Sequence, residues 1–169
     1  MHKVSLKIYG IAPAIFALCA GCQTPVKMEP IDVSSYYSEC PGRGSASLSG
    51  TAFGKTKGGT VKPAAGTAIY LDRVTPYSVE LFAKLKQAGT TSYQNSQDTV
   101  EGLNQDFLKC RKQTTGGIVG NFTFRDLEDG DYFVSSYIRW FTGNEWTGSW
   151  HIKRVRVRKG ESIKELTLH

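Results

Sequence analysis

Histidine is scarce in this chain, 3 in 169 residues, at His2, His151 and His169. A nucleophilic site that pairs serine or cysteine with a histidine base needs that base inside the folded body. Such a centre would rest on His151 alone. Long apolar runs are missing too. The stretch "IYGIAPAIFAL", Ile8 to Leu18, has 11 residues, against the roughly 20 of a membrane-crossing helix. The Gly-rich stretches "GGTVKP" and "TTGGIVG" lack the Lys-Ser/Thr ending of a phosphate loop, so they read as turns. Neither Cys40 nor Cys110 has a histidine or second cysteine at ligand spacing, which leaves zinc without a site. These absences point away from an enzyme and from any metal or cofactor.

The N-terminus holds the first positive signal. His2, Lys3 and Lys7 precede the short apolar run, and small residues, Ala20 and Gly21, follow it. A cationic start, a short apolar middle and a small-residue end describe a secretory signal peptide. The stretch "LCAGC" resembles the lipobox of bacterial lipoproteins, with Cys19 where an aliphatic residue is usual. That resemblance implies a signal peptide over 1–21, lipidation of Cys22 with diacylglycerol and a further acyl chain such as palmitate, and attachment to a membrane. Gln23 after the cysteine implies the outer membrane of the cell envelope. The alternative is an ordinary secretory signal that leaves Cys22 a thiol.

With Cys19 removed and Cys22 acylated, two cysteines remain. An even remainder in an exported protein predicts a disulfide, Cys40 with Cys110. The formal charge of +6 includes Lys3 and Lys7 of the leader, so the mature excess is modest. It suits solubility or an anionic surface and is no nucleic-acid signature.

Residues 22–43 carry prolines and no apolar period, and read as a tether. The body, 44–169, is strand-like, with turn residues between the runs. "ASLSGTAFG" and "TAIYLDRV" read as strands. Within the body, 76–115 reads as a helix and loop insertion. In "TPYSVELFAKLKQAG", Val79, Phe82 and Leu85 recur at helical spacing, with Pro76 to start the helix and Gly89 to stop it. Residues 89–101 read as an exposed loop, and "LNQDFLKC" as a short helix. Phe122 and Phe124 alternate with polar residues. Asp129-Gly130 predicts a hairpin, and "YFVSSYIRW" a strand with Tyr132, Val134, Ile138 and Trp140 on one face. Trp150 and Ile152 share one parity and Val155 and Val157 the other, which predicts a bulge near Lys153. Ile163, Leu166 and Leu168 alternate imperfectly. Taken together the pattern predicts a mainly β fold, an antiparallel, Ig-like β-sandwich of about seven strands with a short helical insertion.

Two stretches, "SGTAFG…KPAAGTAIYLDRVTPYS" and "GNFTFRDLEDGDYFVSS", resemble the halves of carboxypeptidase regulatory-like domains. The matching residues include Gly50, Phe53, Gly66, Gly120, Phe122, Phe124, Leu127, Gly130 and Tyr132, and the closing "RVRKGESIKELTL" fits the last hairpin of that family. The resemblance covers about 45–168. It implies a prealbumin-like β-sandwich without peptidase chemistry. Where the family often has an Asp-x-x-Gly turn before the phenylalanines, this chain reads "GGIVG".

Three groups remain as candidate contacts. Asp126, Glu128, Asp129 and Asp131 could offer oxygens to calcium, but their spacing matches no EF-hand loop and they read as a solvated turn. Arg154, Arg156 and Arg158 project from one face of a strand and could meet a phosphate or head group. Tyr137, Trp140, Phe141, Trp146 and Trp150 gather around one turn. Of these, Tyr137 and Trp146 are candidate binding aromatics, with Trp146 the more exposed. The reading is a lipid-anchored, non-catalytic binding or assembly module for another envelope component, whether protein or polysaccharide. The alternative is a carbohydrate-binding module using the aromatics near Trp146.

Overall fold

The computed structural model describes residues 26–28, 40, 42–88, 90–92, 100–143 and 145–169. In chain order its elements are β1 (Val26–Lys27), β2 (Ala46–Lys55), β3 (Val61–Pro63), β4 (Ala68–Arg73), α1 (Pro76–Ala88), β5 (Thr90–Ser92), β6 (Val100–Glu101), α2 (Gln105–Cys110), β7 (Lys112–Thr115), β8 (Asn121–Leu127), β9 (Gly130–Thr142), β10 (Glu145–Val157) and β11 (Ser162–Leu168).

Two sheets face each other. One has the order β5-β10-β9-β4-β7 and is antiparallel throughout. The other is built on β2, with β11 on one side and β8 and then β3 along the other. Leu48, Phe122, Phe124 and Leu127 face Ile69, Val134 and Ile138 across the gap, all buried. This is the expected mainly β sandwich with a short helical insertion. Two strand pairs depart from the antiparallel expectation: within the sandwich β11 runs parallel to β2, and outside it β1 runs parallel to β6.

Two of the expected C-terminal hairpins, at Asp129-Gly130 and Lys159-Gly160, are crossings between sheets instead. β8 pairs with β2, whereas β9 pairs with β4 and β10. A tight hairpin at Asp129-Gly130 would put Phe122 and Tyr132 in one sheet. The core needs them facing each other from two. A bulge at Arg125–Asp126, with Asp126 at φ 55°, turns Leu127 inward, and the Tyr132 hydroxyl donates to the Glu128 carbonyl at 3.1 Å to fix the corner. Likewise β11 leaves β10 at Lys159-Gly160 to join β2.

The bulge expected near Lys153 is absent. β10 pairs with β9 without a register break from Glu145 to Val157. The parity conflict has another cause, since this sheet is covered on both faces. Val155 and Val157 pack in the sandwich, while Trp150 and Ile152 pack with Phe133 beneath α1. A bulge does occur in β11, between Ile163 and Leu166, with Glu165 at φ 66°, and it restores the alternation of Leu166 and Leu168.

Helix α1 starts where Pro76 fits the first turn. Thr75 and Ser78 cap it reciprocally: the Thr75 amide donates to Ser78 Oγ at 2.8 Å and the Ser78 amide to Thr75 Oγ1 at 3.2 Å, the geometry of a capping box with serine in the acidic position. Its buried stripe is Tyr77, Leu81, Phe82 and Leu85. Val79, expected in the stripe, is 46% exposed, because positions four apart set the inward face. Gly89 lies outside the described residues. The expected short helix is α2, capped by Asn104, whose Oδ1 accepts from the amides of Asp106 and Phe107 at 2.8 and 3.2 Å.

Two stretches read as free chain are partly structured. Within the expected loop 89–101, β5 extends the sheet beside β10 and β6 pairs with β1; residues 93–99 lie outside the described residues. Within the expected tether 22–43, Val26–Lys27 forms β1, and Met28 is buried among Tyr77, Leu81 and Phe107. Cys40 is joined to Cys110 as expected, with their Cα atoms 4.8 Å apart.

Candidate functional site

The strands bring some of the candidates together and disarm others. β9 and β10 stand in register, so Asp131 lies opposite Arg156. Arg154 reaches Asp131 at 3.1 Å, and Arg156 reaches Asp129 at 2.7 Å and Asp131 at 3.6 Å. Arg73 sits 3.6 Å from Glu128. The basic run and the acidic corner, separate features in the sequence, are therefore partners. Exposed pairs of this kind contribute little stability, but they satisfy the charges that an anion or a calcium ion would have used. Among the described residues no cluster of metal-binding side chains is found. Arg158 stands at the β10–β11 turn, its amide donating to Glu161 Oε2 at 2.8 Å.

The aromatics divide by face. Trp140 is buried on the inner face, against Gly54, where an added Cβ would lie 2.8 Å from the indole. Tyr137, expected to be a contact residue, is only 7% exposed. It packs edge-on to Trp150 with centroids 5.6 Å apart, in the space left by Gly148. At the open end of the same face, Phe141 and Trp146 lie opposite each other, 55% and 44% exposed, with centroids 5.5 Å apart and planes 67° apart. The Arg139 guanidinium sits 5.1 Å from the Trp146 ring centroid. The pair makes an L-shaped step: one ring offers its face, the other a wall, and the cation beneath orients the indole. Arg139 was not singled out in the sequence. Its signal was parity, two positions from Phe141 on the same strand.

A second arrangement lies on the inner face. Ser149 Oγ and His151 Nε2 are 2.8 Å apart. Burial pushes the His151 pKa down from its usual 6.5, and a hydrogen bond to the main chain of His169 pulls the other way. The ring is thus held toward its neutral form, beside Gly54 and Trp140. The serine was missed because residues two apart meet only on a strand.

A buried ion pair ties the insertion to the sheet. Arg111 donates from Nε and Nη2 to both oxygens of Asp72, at 2.8 and 2.9 Å, and its guanidinium lies over Tyr70 and Phe107. Burial raises the Asp72 pKa; the guanidinium opposes that rise. Cys22 lies outside the described residues.

Neither a family model nor a curated protein matches the chain. Among solved structures it is similar to the crystal structure of a candidate carbohydrate binding protein from Pseudomonas aeruginosa. The two are 20% identical, with a TM-score of 0.66 over 80% of this chain and 94% of that one. At that identity the likeness is one of fold.

Proposed function

We propose that this chain is a non-catalytic binding module of the bacterial cell envelope, held at the outer membrane by acyl chains on Cys22, and that it takes up polysaccharide at Phe141 and Trp146. The observation that carries the reading is the exposed aromatic step on a regular two-stranded hairpin. Sugar rings present C–H faces that pack on aromatic faces, and a preorganised pair of rings loses little freedom on binding. The description of the structural neighbour as a candidate carbohydrate binding protein points the same way. The resemblance to carboxypeptidase regulatory-like domains implies no peptidase chemistry.

The plainer role for Phe141 and Trp146 is a cross-strand pair that only steadies the hairpin. Retention on a panel of immobilised acidic and neutral glycans separates the two. Trp146→Ala is expected to lower retention at least about tenfold, the effect of losing one central aromatic contact, with the unfolding midpoint nearly unchanged. Equal retention by wild type and variant overturns the glycan reading. If Trp146→Ala instead removes a protein crosslinked in intact envelopes, the module docks a protein. The anchor is tested separately: labelled fatty acid should enter the wild type and not Cys22→Ser.

A further inference from the structure

The turn between β7 and β8 displays apolar residues where turns usually place Gly, Asn, Asp or Pro. Ile118 is 89% exposed and Val119 67%. The loop is not slack. The Gly120 amide donates to the Gly117 carbonyl at 2.7 Å, which closes the turn around the two side chains. Gly117 donates to Asn121 at 2.9 Å, Gly116 to Thr67 at 2.9 Å, and the Gly120 carbonyl accepts from Ala52 at 2.9 Å. Gly120 has φ 78°, and a Cβ there would lie 2.2 Å from the Ala52 carbonyl. The backbone thus holds two branched aliphatic side chains out from the body at fixed positions.

The turn lies beside a hairpin whose charged side chains have one sign. It is braced on Ala52 and Ala64, from which the β2–β3 hairpin extends, Lys55 paired with Val61 and Gly54 with Lys62. Val61 is 53% exposed. From Pro41 to Leu71, and again from Arg111 to Arg125, the sequence contains no Asp or Glu, yet the hairpin bears Lys55, Lys57 and Lys62. The carboxylates Glu128, Asp129 and Asp131 sit with their arginines, near Asp126, at the other end of β8, across from Ala46. Apolar side chains on one turn and lysines on the adjoining hairpin complement a bilayer with anionic head groups: the aliphatic carbons enter the interface and the ammonium groups stay with the phosphates.

We propose that the Ile118–Val119 turn and the lysines of the β2–β3 hairpin form a membrane-contact surface for anionic lipid. It uses other residues than the aromatic step and does not depend on the glycan reading. It also needs no acyl chain, although an anchor near Val26 would raise the local concentration of the turn at the bilayer.

The test uses the full chain as purified from envelopes, added to vesicles of phosphatidylethanolamine with brominated phosphatidylglycerol. A polarity-sensitive fluorophore is placed at Val119→Cys or, at the far end of β2, at Lys159→Cys. Quenching is expected to be several-fold stronger at position 119. Adding Ile118→Ser with Lys55→Gln and Lys57→Gln should lower it to the level at 159, and high salt should weaken it. Equal quenching at the two positions overturns the proposal, as does quenching at 119 that survives those substitutions. A fluorophore at 119 that stays unquenched in vesicles but is shielded in whole envelopes also overturns it, and makes the turn a protein contact. Fatty-acid labelling reports the anchor separately, so failure of one reading is distinguishable from failure of the other.

Discussion

The five-stranded sheet has two different coats. On its inner face the cover is another sheet, and the contacts are branched and aromatic side chains at every second residue: Ile69, Leu71, Val134, Ile138 and Val157 against Leu48, Phe122 and Phe124. On its outer face the cover is assembled from pieces: α1, α2 and Met28 from the N-terminal segment, over Phe133, Trp150 and Ile152. The inner coat is mainly apolar, with Lys153 Nζ donating across it to the Thr167 carbonyl at 3.1 Å. The outer one adds directional bonds, namely Asp72 with Arg111, Tyr77 Oη accepting from the Asn104 amide at 2.8 Å, and the Cys40–Cys110 bridge. Pieces with few residues each cannot bury enough surface to offset the entropy of ordering them, so polar and covalent ties make up the difference.

That contrast can be broken from either side. The largest effect is expected from Arg111→Ala, which leaves the Asp72 carboxylate buried without its cation. Loss of one partner of a buried pair costs about 3–5 kcal/mol. If the outer coat is a separate cooperative unit, hydrogen exchange will speed up in α1 and α2 while the amides of Phe122 and Phe124 stay protected. Uniform loss of protection would show that both coats unfold together.

A smaller effect compares one glycine on each face. Gly148→Ala would bring a Cβ within 2.7 Å of the Tyr137 ring under the outer coat, and Gly54→Ala one within 2.8 Å of Trp140 on the inner face. Overpacking costs about 1–3 kcal/mol. The cost should be lower at Gly148 if the outer coat yields more easily. Denaturant midpoints measure the difference, and equal costs would mean that the two faces are equally stiff.

The smallest effect is electrostatic. His151 is held neutral by burial, so its folded pKa lies below the unfolded value near 6.5. The unfolded chain then binds the extra proton first, and stability falls as pH drops below about 6.5 and levels off once the folded ring is charged too. His151→Gln should flatten that part of the stability–pH curve. An unchanged slope would place the titration elsewhere, with the exposed groups.

The inner coat was largely readable from residue order. Phe122 and Phe124, and Tyr132, Val134 and Ile138, alternate as a half-buried strand must, and they are buried. The outer coat was readable only in fragments: Pro76 announced α1, and the count of cysteines announced the Cys40–Cys110 bridge. Val79 misled because three-residue spacing does not distinguish which side of a helix meets a sheet. The parity change between Ile152 and Val155 was read as a bulge because a strand covered on both faces has no single apolar parity. Of the candidate site, Trp146 was identified as exposed. Tyr137 could not be seen as buried, since its cover, Trp150 over Gly148, depends on pairing between strands.

Residue order alone determined the period of each strand and the start of α1, because these follow from neighbours along the chain. Tertiary structure decided which sheet each strand joins, that Arg154 and Arg156 meet Asp129 and Asp131, that Met28 is buried, and that Ile118 and Val119 are not. Local preference fixes which side chains share a face, but burial and charge depend on what covers that face, and the cover comes from residues far away in sequence.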